Sequence, residues 1–442
     1  MRDVYHKARP LLLSVPVWRA RVALWAAAGA VGIVAVLFAR LADIAQEAFR
    51  RIHSTNSLLP WILTPLGIPL VSWLTRRYFK GAEGSGIPQA IYALGRDSGA
   101  LGAAFMRMRV VVGRVVLAAA GLLCGASIGR EGPTVHVGAA ITHAFARWMP
   151  HGDPRARRHA LILAGGAAGV AAAFNTPLAG IVFAIEELSR SFEERASGTT
   201  LTAVILAGIA AIALSGNYTY FGEPRLYADA NALSLRVLAI ALVSGLGGGL
   251  FSRLMLATSR GLPGAAGVLQ RRYPTVFAFC CGLAIAALGA GTHGLTYGTG
   301  YAEARMALEA GTQLPWQYAP ARALATLLSF VSGVPAGILA PSLSAGAGLG
   351  QALGDLLGQG AGMGAEYAVL GMCGYLAGVT QAPLTSFIIV MEMTTGHEIV
   401  LPLMLTATVG SVVSRLLSPP LYRSLAERYA DSPAGKDSTA KG

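Results

Sequence analysis

Glu131 stands in the run Gly129-Arg130-Glu131-Gly132-Pro133, and the stretch before it, Val115 to Ile128, carries no charge. After Pro133 the chain turns apolar again. A carboxylate in such surroundings is costly to bury, so it marks function before it marks packing. Its flanks say which function. Gly129 and Gly132 let the backbone bend, and Pro133 suits the first position of a new helix, where a missing N–H costs nothing. A helix that starts inside an apolar layer aims its unpaired N–H groups and positive dipole end at whatever lies ahead. That is an anion site, with a protonatable anion at its mouth.

Two more helix starts carry related chemistry. Gly84-Ser85-Gly86-Ile87-Pro88 offers backbone N–H groups and the Ser85 hydroxyl, and Gly337-Ile338-Leu339-Ala340-Pro341 repeats the glycine-to-proline spacing of 129–133. The repeat goes further. Gly138 and Gly346 follow the two prolines at equal spacing, an offset of 208 residues between copies. Pro177-Leu178, with Glu186 nine residues after the proline, recurs as Pro383-Leu384 with Glu392, an offset of 206. These pairs indicate two related halves, about 20–215 and 235–420. Halves of this kind in transporters commonly run in opposite directions across the membrane, with broken helices meeting near the midplane.

The elements that must position these residues are apolar helices. Val22–Ala39, Ala196–Gly222, Tyr273–Ala302, Ala323–Gly354 and Tyr367–Met391 all lack Asp, Glu, Lys and Arg. A spanning helix needs about 20 mostly apolar residues. The chain is 54% hydrophobic and only 13% charged, roughly half the charge of an ordinary soluble protein. The reading is an all-α polytopic membrane protein: one transmembrane domain over 1–430 and a short polar tail over 431–442.

The net charge of +13 sits in short clusters between apolar runs: Arg2, Lys7, Arg9, Arg19 and Arg21, then Arg76, Arg77 and Lys80, then Arg155, Arg157 and Arg158, then Arg271 and Arg272. Positive residues in short loops mark the cytoplasmic side. The charge therefore reads as topology, with cytoplasmic termini, and not as a nucleic-acid surface. The first apolar run has no small-residue cleavage site behind it and reads as a retained helix. Between the halves, Asn217–Leu233 holds Tyr218, Tyr220, Glu223, Pro224 and Asp229 and reads as an external connecting loop. Cys124, Cys280, Cys281 and Cys373 read as small buried hydrophobes, without metal-ligand spacing or a disulfide framework. The eight histidines form no HExxH-like pair, so neither a metal nor another cofactor is expected. Gly346-Ala347-Gly348-Leu349-Gly350 lacks the βαβ context of a dinucleotide site.

Residues 84–88, 129–133 and 337–341 resemble, in order, the three motifs of the CLC chloride channels and chloride/proton antiporters. Those motifs are Gly-Ser-Gly-Ile-Pro, Gly-Lys/Arg-Glu-Gly-Pro and Gly-x-Phe-x-Pro. Tyr422, in Pro420-Leu421-Tyr422, is similar to the tyrosine that opens the family's last helix. The resemblance spans roughly 20–430. It implies a homodimer in which each subunit has its own anion pathway. Chloride would be held by the hydroxyls of Ser85 and Tyr422 and by backbone N–H groups at Ile338, Leu339 and 129–132. Partial charges suit conduction, because a site must replace hydration and still release the ion.

By the same resemblance, Glu131 is the gating glutamate, leaving the anion position when protonated, and Glu187 is the internal proton-transfer glutamate. Family members that work as passive channels usually have an apolar residue where Glu187 stands, so Glu187 favours exchange over the alternative of a channel. Arg114 matches a pore-region lysine. Glu186 and Glu392 are expected to serve structure or the surroundings of the relay. Leu339 departs from the motif's phenylalanine, which leaves backbone binding intact but alters gating or pore width. Ser85 favours chloride over nitrate, and the motifs depart from those of a fluoride-exporting branch. Size and the short tail, with no large cytoplasmic regulatory module, fit a bacterial inner-membrane version. An enzyme is not expected: an intramembrane protease would carry Gly two residues before its serine, where Ser85 has Glu83. A purely structural scaffold would not need Glu131.

Overall fold

The apolar stretches fold as helices, but not one helix per stretch. The computed structural model describes residues 14–95, 98–148, 153–189, 198–216, 220–222, 224, 235–309, 312–358, 364–394 and 396–431. The first half forms α1 (Val15–Thr55), α2 (Pro60–Tyr78), α3 (Ile87–Leu94), α4 (Gly99–Phe105), α5 (Met108–Leu123) and α6 (Glu131–Ala144). It continues with α7 (Pro154–Phe174), α8 (Pro177–Phe183) and α9 (Gly198–Ser215). α8 runs on into a π-helical turn over Ala184–Leu188. The second half forms α10 (Leu235–Ser259), α11 (Gly264–Arg272), α12 (Pro274–Gly291), α13 (Tyr301–Glu309) and α14 (Tyr318–Val331). Then come α15 (Leu339–Leu356), α16 (Gly364–Thr380), α17 (Pro383–Thr394), α18 (Val400–Arg415) and α19 (Leu421–Asp431).

Among the described residues, five helices are long and apolar enough to cross a membrane: α1, α9, α10, α12 and, with the 3-10 turn before it, α18. The chain is an integral membrane protein. The other helices are too short or not apolar enough, and α6 and α16 are wrapped by protein almost completely. Ala323–Gly354, one apolar run by composition, holds the end of α14 and most of α15. Gly333 sits at φ +89 between them. Tyr367–Met391 likewise breaks at Gln381, which takes a left-handed φ of +59 before Pro383. Such breaks survive at membrane depth only where protein satisfies the freed backbone groups.

The halves match in their packing. α6 lies on α7 and α15 lies on α16, each pair at van der Waals contact of backbones. A Cβ on Gly346 would fall 2.6 Å from the Gly371 carbonyl, and one on Gly138 would collide with the Gly165 carbonyl. Small residues at helix interfaces allow this approach. Cys124, Cys281 and Cys373 are buried as expected, whereas Cys280 is exposed. It lies on the outer face of α12, because Phe277, Cys281 and Ile285 take the inner one.

Most of the Asn217–Leu233 connector, the tail beyond Asp431, the basic residues Arg2, Lys7 and Arg9, and Arg190 lie outside the described residues. Tyr220 and Phe221 of the connector pack into the protein. Both are buried.

Candidate functional site

The three helix starts singled out by sequence meet at one place. Gly129 N–H donates to the Gly337 carbonyl at 2.7 Å, and Gly337 N–H donates back to Gly129 at 3.2 Å. The two copies of the repeat motif are thus joined by an antiparallel bridge. Ala336 N–H donates to the Gly84 carbonyl at 3.1 Å, which ties in the third motif. Because Gly129 spends its N–H on the bridge, the anion-binding backbone expected over 129–132 excludes it. α6 begins at Glu131 and α15 at Leu339, so Pro133 and Pro341 occupy the third position and not the first. Both remain within the first turn, where a missing N–H breaks no helical bond.

Crowding fixes the glycines. A Cβ at Gly132 would fall 2.6 Å from Ser85 Oγ, and Gly86, at φ +93, has Arg114 Nη1 only 2.8 Å from where its Cβ would be. α3 therefore starts at Ile87, with Pro88 in its first turn. Ile338 caps α15, and Leu339 and Ala340 present its first N–H groups. Ile338, Leu339, Ser85, Tyr422 and Glu131 are all buried.

Tyr422, second residue of α19, lies within reach of Ser85, Glu187 and Glu131 together. Neither the Ser85 hydroxyl nor the Tyr422 hydroxyl makes a hydrogen bond of good geometry. Two buried neutral donors facing one region, at the mouths of three helices, form a cradle of anion-binding type. The Glu131 carboxylate occupies its edge, against the backbone N–H of Ala340. Glu187 is 6% exposed and lies in the π-helical turn, a distortion frequent at functional sites. Arg423 is its basic neighbour.

Several partners differ from the simplest expectations. Arg130 does not chiefly pair with Glu131, whose Oε1 lies 3.9 Å from Arg130 Nε. Arg130 Nη1 instead bonds Asp43 at 2.7 Å and the Ala39 carbonyl at 2.7 Å. Arg114 is fully buried and donates to the carbonyls of Gly84 and Gly81, each at 2.8 Å. Its charge is spent holding the loop that leads into α3.

Glu186 and Glu392 cap each other's halves. Glu186 accepts from Leu384 N–H at 3.1 Å and Thr385 N–H at 2.7 Å, at the start of α17. Glu392 accepts from Leu178 N–H at 3.4 Å and Ala179 N–H at 2.9 Å, at the start of α8. A carboxylate on orphan helix N–H groups satisfies both the charge and the donors.

Sequence reasoning missed Tyr301, whose hydroxyl donates to Glu131 Oε1 at 2.7 Å. It also gave no role to Tyr220, whose hydroxyl accepts from Arg130 Nη2. Tyr301 lies 170 residues from Glu131. The only local cue was a tyrosine closing the glycine-rich run Gly298-Thr299-Gly300.

Residues 66–415 match the family described as voltage gated chloride channel. The chain is 30% identical over 423 residues to the H(+)/Cl(-) exchange transporter ClcA of Yersinia pestis bv. Antiqua, covering 90% of this chain and 85% of the relative. The structure of a slow cyanobacterial Cl−/H+ antiporter superposes with a TM-score of 0.77 at 24% identity, covering 94% of this chain and 99% of that one. That of a CLC-type fluoride/proton antiporter gives 0.75 at 21% identity, covering 91% and 96%.

Proposed function

The chain belongs to the voltage gated chloride channel family, and on that premise we propose that it exchanges chloride for protons across a membrane. Glu131 is the gate. Its carboxylate competes with chloride for the cradle made by the Ser85 and Tyr422 hydroxyls and the N–H groups of Ile338, Leu339 and Ala340. Protonation removes the charge that holds it there, and chloride enters as it leaves. Glu187 passes protons to and from Glu131 on the far side of Tyr422. The observation that carries this reading is Tyr422 itself, a fully buried hydroxyl that has no hydrogen-bond partner among the described residues and lies near Ser85 and both carboxylates.

A passive channel on the same scaffold is the second reading. The burial of Glu187, a group that such a channel does not need, argues against it. The likeness to a fluoride/proton antiporter is one of fold, and the Ser85 hydroxyl supports chloride as the ion. The protein works as a homodimer in a bacterial inner membrane, with the arginine-rich helix ends and both termini on the cytoplasmic side. Proteoliposomes loaded with chloride, with simultaneous pH recording, test the proposal. Downhill chloride is expected to drive protons against their gradient. Chloride flux with no proton movement would leave the channel in its place.

A further inference from the structure

We infer that Tyr301 is the latch of the gate, a positioning residue that holds the ionised Glu131 carboxylate in the cradle until a proton releases it. The inference rests on the gating role proposed for Glu131. The Tyr301 hydroxyl lies 2.7 Å from Glu131 Oε1, the distance of a hydrogen bond strengthened by a charged acceptor. A phenol donates well to a carboxylate and less well to a neutral acid, so this contact favours the closed, ionised state.

The surroundings leave Tyr301 little freedom. Its ring lies against Tyr220 at 4.8 Å and Phe221 at 5.5 Å between centroids. The Arg130 guanidinium sits 5.6 Å from the Tyr220 ring centroid and 5.9 Å from that of Tyr301. Phe221 N–H donates to the Met393 carbonyl at 3.0 Å, which pins this piece of the inter-half connector to α17. The backbone leading into Tyr301 is fixed from three other helices. Arg322 of α14, fully buried, donates to the carbonyls of Leu295, Thr296 and Gly298 at 2.6, 3.0 and 2.9 Å. Gln46 of α1 accepts from Thr299 N–H at 3.1 Å, and Ser344 of α15 donates to the Gly300 carbonyl at 2.8 Å. With the latch immobile, motion falls to the Glu131 side chain.

The charged and titratable groups facing Glu131 are Arg130 on its own helix start, Tyr301 on α13, Tyr220 from the connector and Tyr422 on α19, with Asp43 of α1 behind Arg130. Tyr301→Phe changes one of these and keeps the packed ring. Without the hydroxyl the ionised gate loses a donor while the protonated gate loses less, so opening needs fewer protons. The profile of chloride flux against pH is expected to move upward by about one pH unit, the worth of a hydrogen bond to a charged group.

The test is that profile in proteoliposomes for wild type, Tyr301→Phe, Glu131→Gln and the double variant. The latch predicts the shift in Tyr301→Phe and a double variant indistinguishable from Glu131→Gln. A Tyr301→Phe profile lying on the wild-type curve, while Glu131→Gln is flat, overturns the latch and leaves the gate standing. A double variant that differs from Glu131→Gln also overturns it, since Tyr301 would then act on the pore without Glu131. Wild-type pH dependence in Glu131→Gln removes the gate and the latch together.

Discussion

The two copies of the glycine-to-proline motif share a backbone and differ in chemistry. Gly129 and Gly337 face each other across the bridge that joins the halves, yet the third residue is Glu131 in one copy and Leu339 in the other. The same contrast recurs one motif later. Glu187 corresponds, at the 206-residue offset, to Met393. Both groups assigned to proton movement lie in the first half, and both counterparts in the second are apolar. By contrast Glu186 and Glu392, the pair that both halves keep, bond in the same way to each other's helix starts. Symmetry is retained where the backbone needs a cap and abandoned where chemistry needs one titratable group on one path. On the proposed mechanism, two carboxylates at the bridge would repel each other and leave the anion cradle doubly blocked.

Making the first copy as neutral as the second is expected to have the largest effect. Glu131→Gln keeps the shape and removes the titration, so chloride flux should persist, become independent of pH and move no protons. Coupled proton transport in that variant would take Glu131 out of the mechanism.

Next comes Glu187→Met, which installs the residue its counterpart carries. Proton movement driven by a chloride gradient should fall by about 100-fold, as for loss of a positioned acid–base group, while chloride flux continues. Unchanged coupling would mean that protons reach Glu131 by another route.

The symmetric pair should respond symmetrically. Glu186→Gln and Glu392→Gln are each expected to lower stability by about 1–2 kcal/mol, the usual cost of weakening a helix cap, with proton coupling retained. Thermal unfolding of the purified variants in one detergent checks this. A large effect from one variant alone would show that the reciprocal caps are not equivalent.

The smallest effect is expected at the motif without a copy. Gly84–Pro88 does not recur at residues 290–296, 206 to 208 positions on. Ser85→Pro should raise nitrate over chloride by about fivefold, a part of the worth of one hydrogen bond to a charged acceptor, since both anions lose the donor. Bi-ionic flux measurements that give an unaltered anion series would place the Ser85 hydroxyl off the ion.

The sequence by itself determined the three helix starts, the opening tyrosine of the last helix and the polytopic character of the chain. Those features are local: a glycine that bends, a proline that begins a turn, a carboxylate in an apolar run, and twenty residues without charge. Tertiary structure decided whatever depends on distant partners. Glu186 could have ended its helix in water, and only the fold brings it to Leu384 and Thr385. Ala323–Gly354 looked continuous, because hydropathy measures burial and is blind to a helix end that protein has satisfied. Tyr301 and Tyr220 carried no motif at all. A hydroxyl or an aromatic ring becomes part of a site only when packing aims it there, and packing joins residues that the chain keeps 170 positions apart.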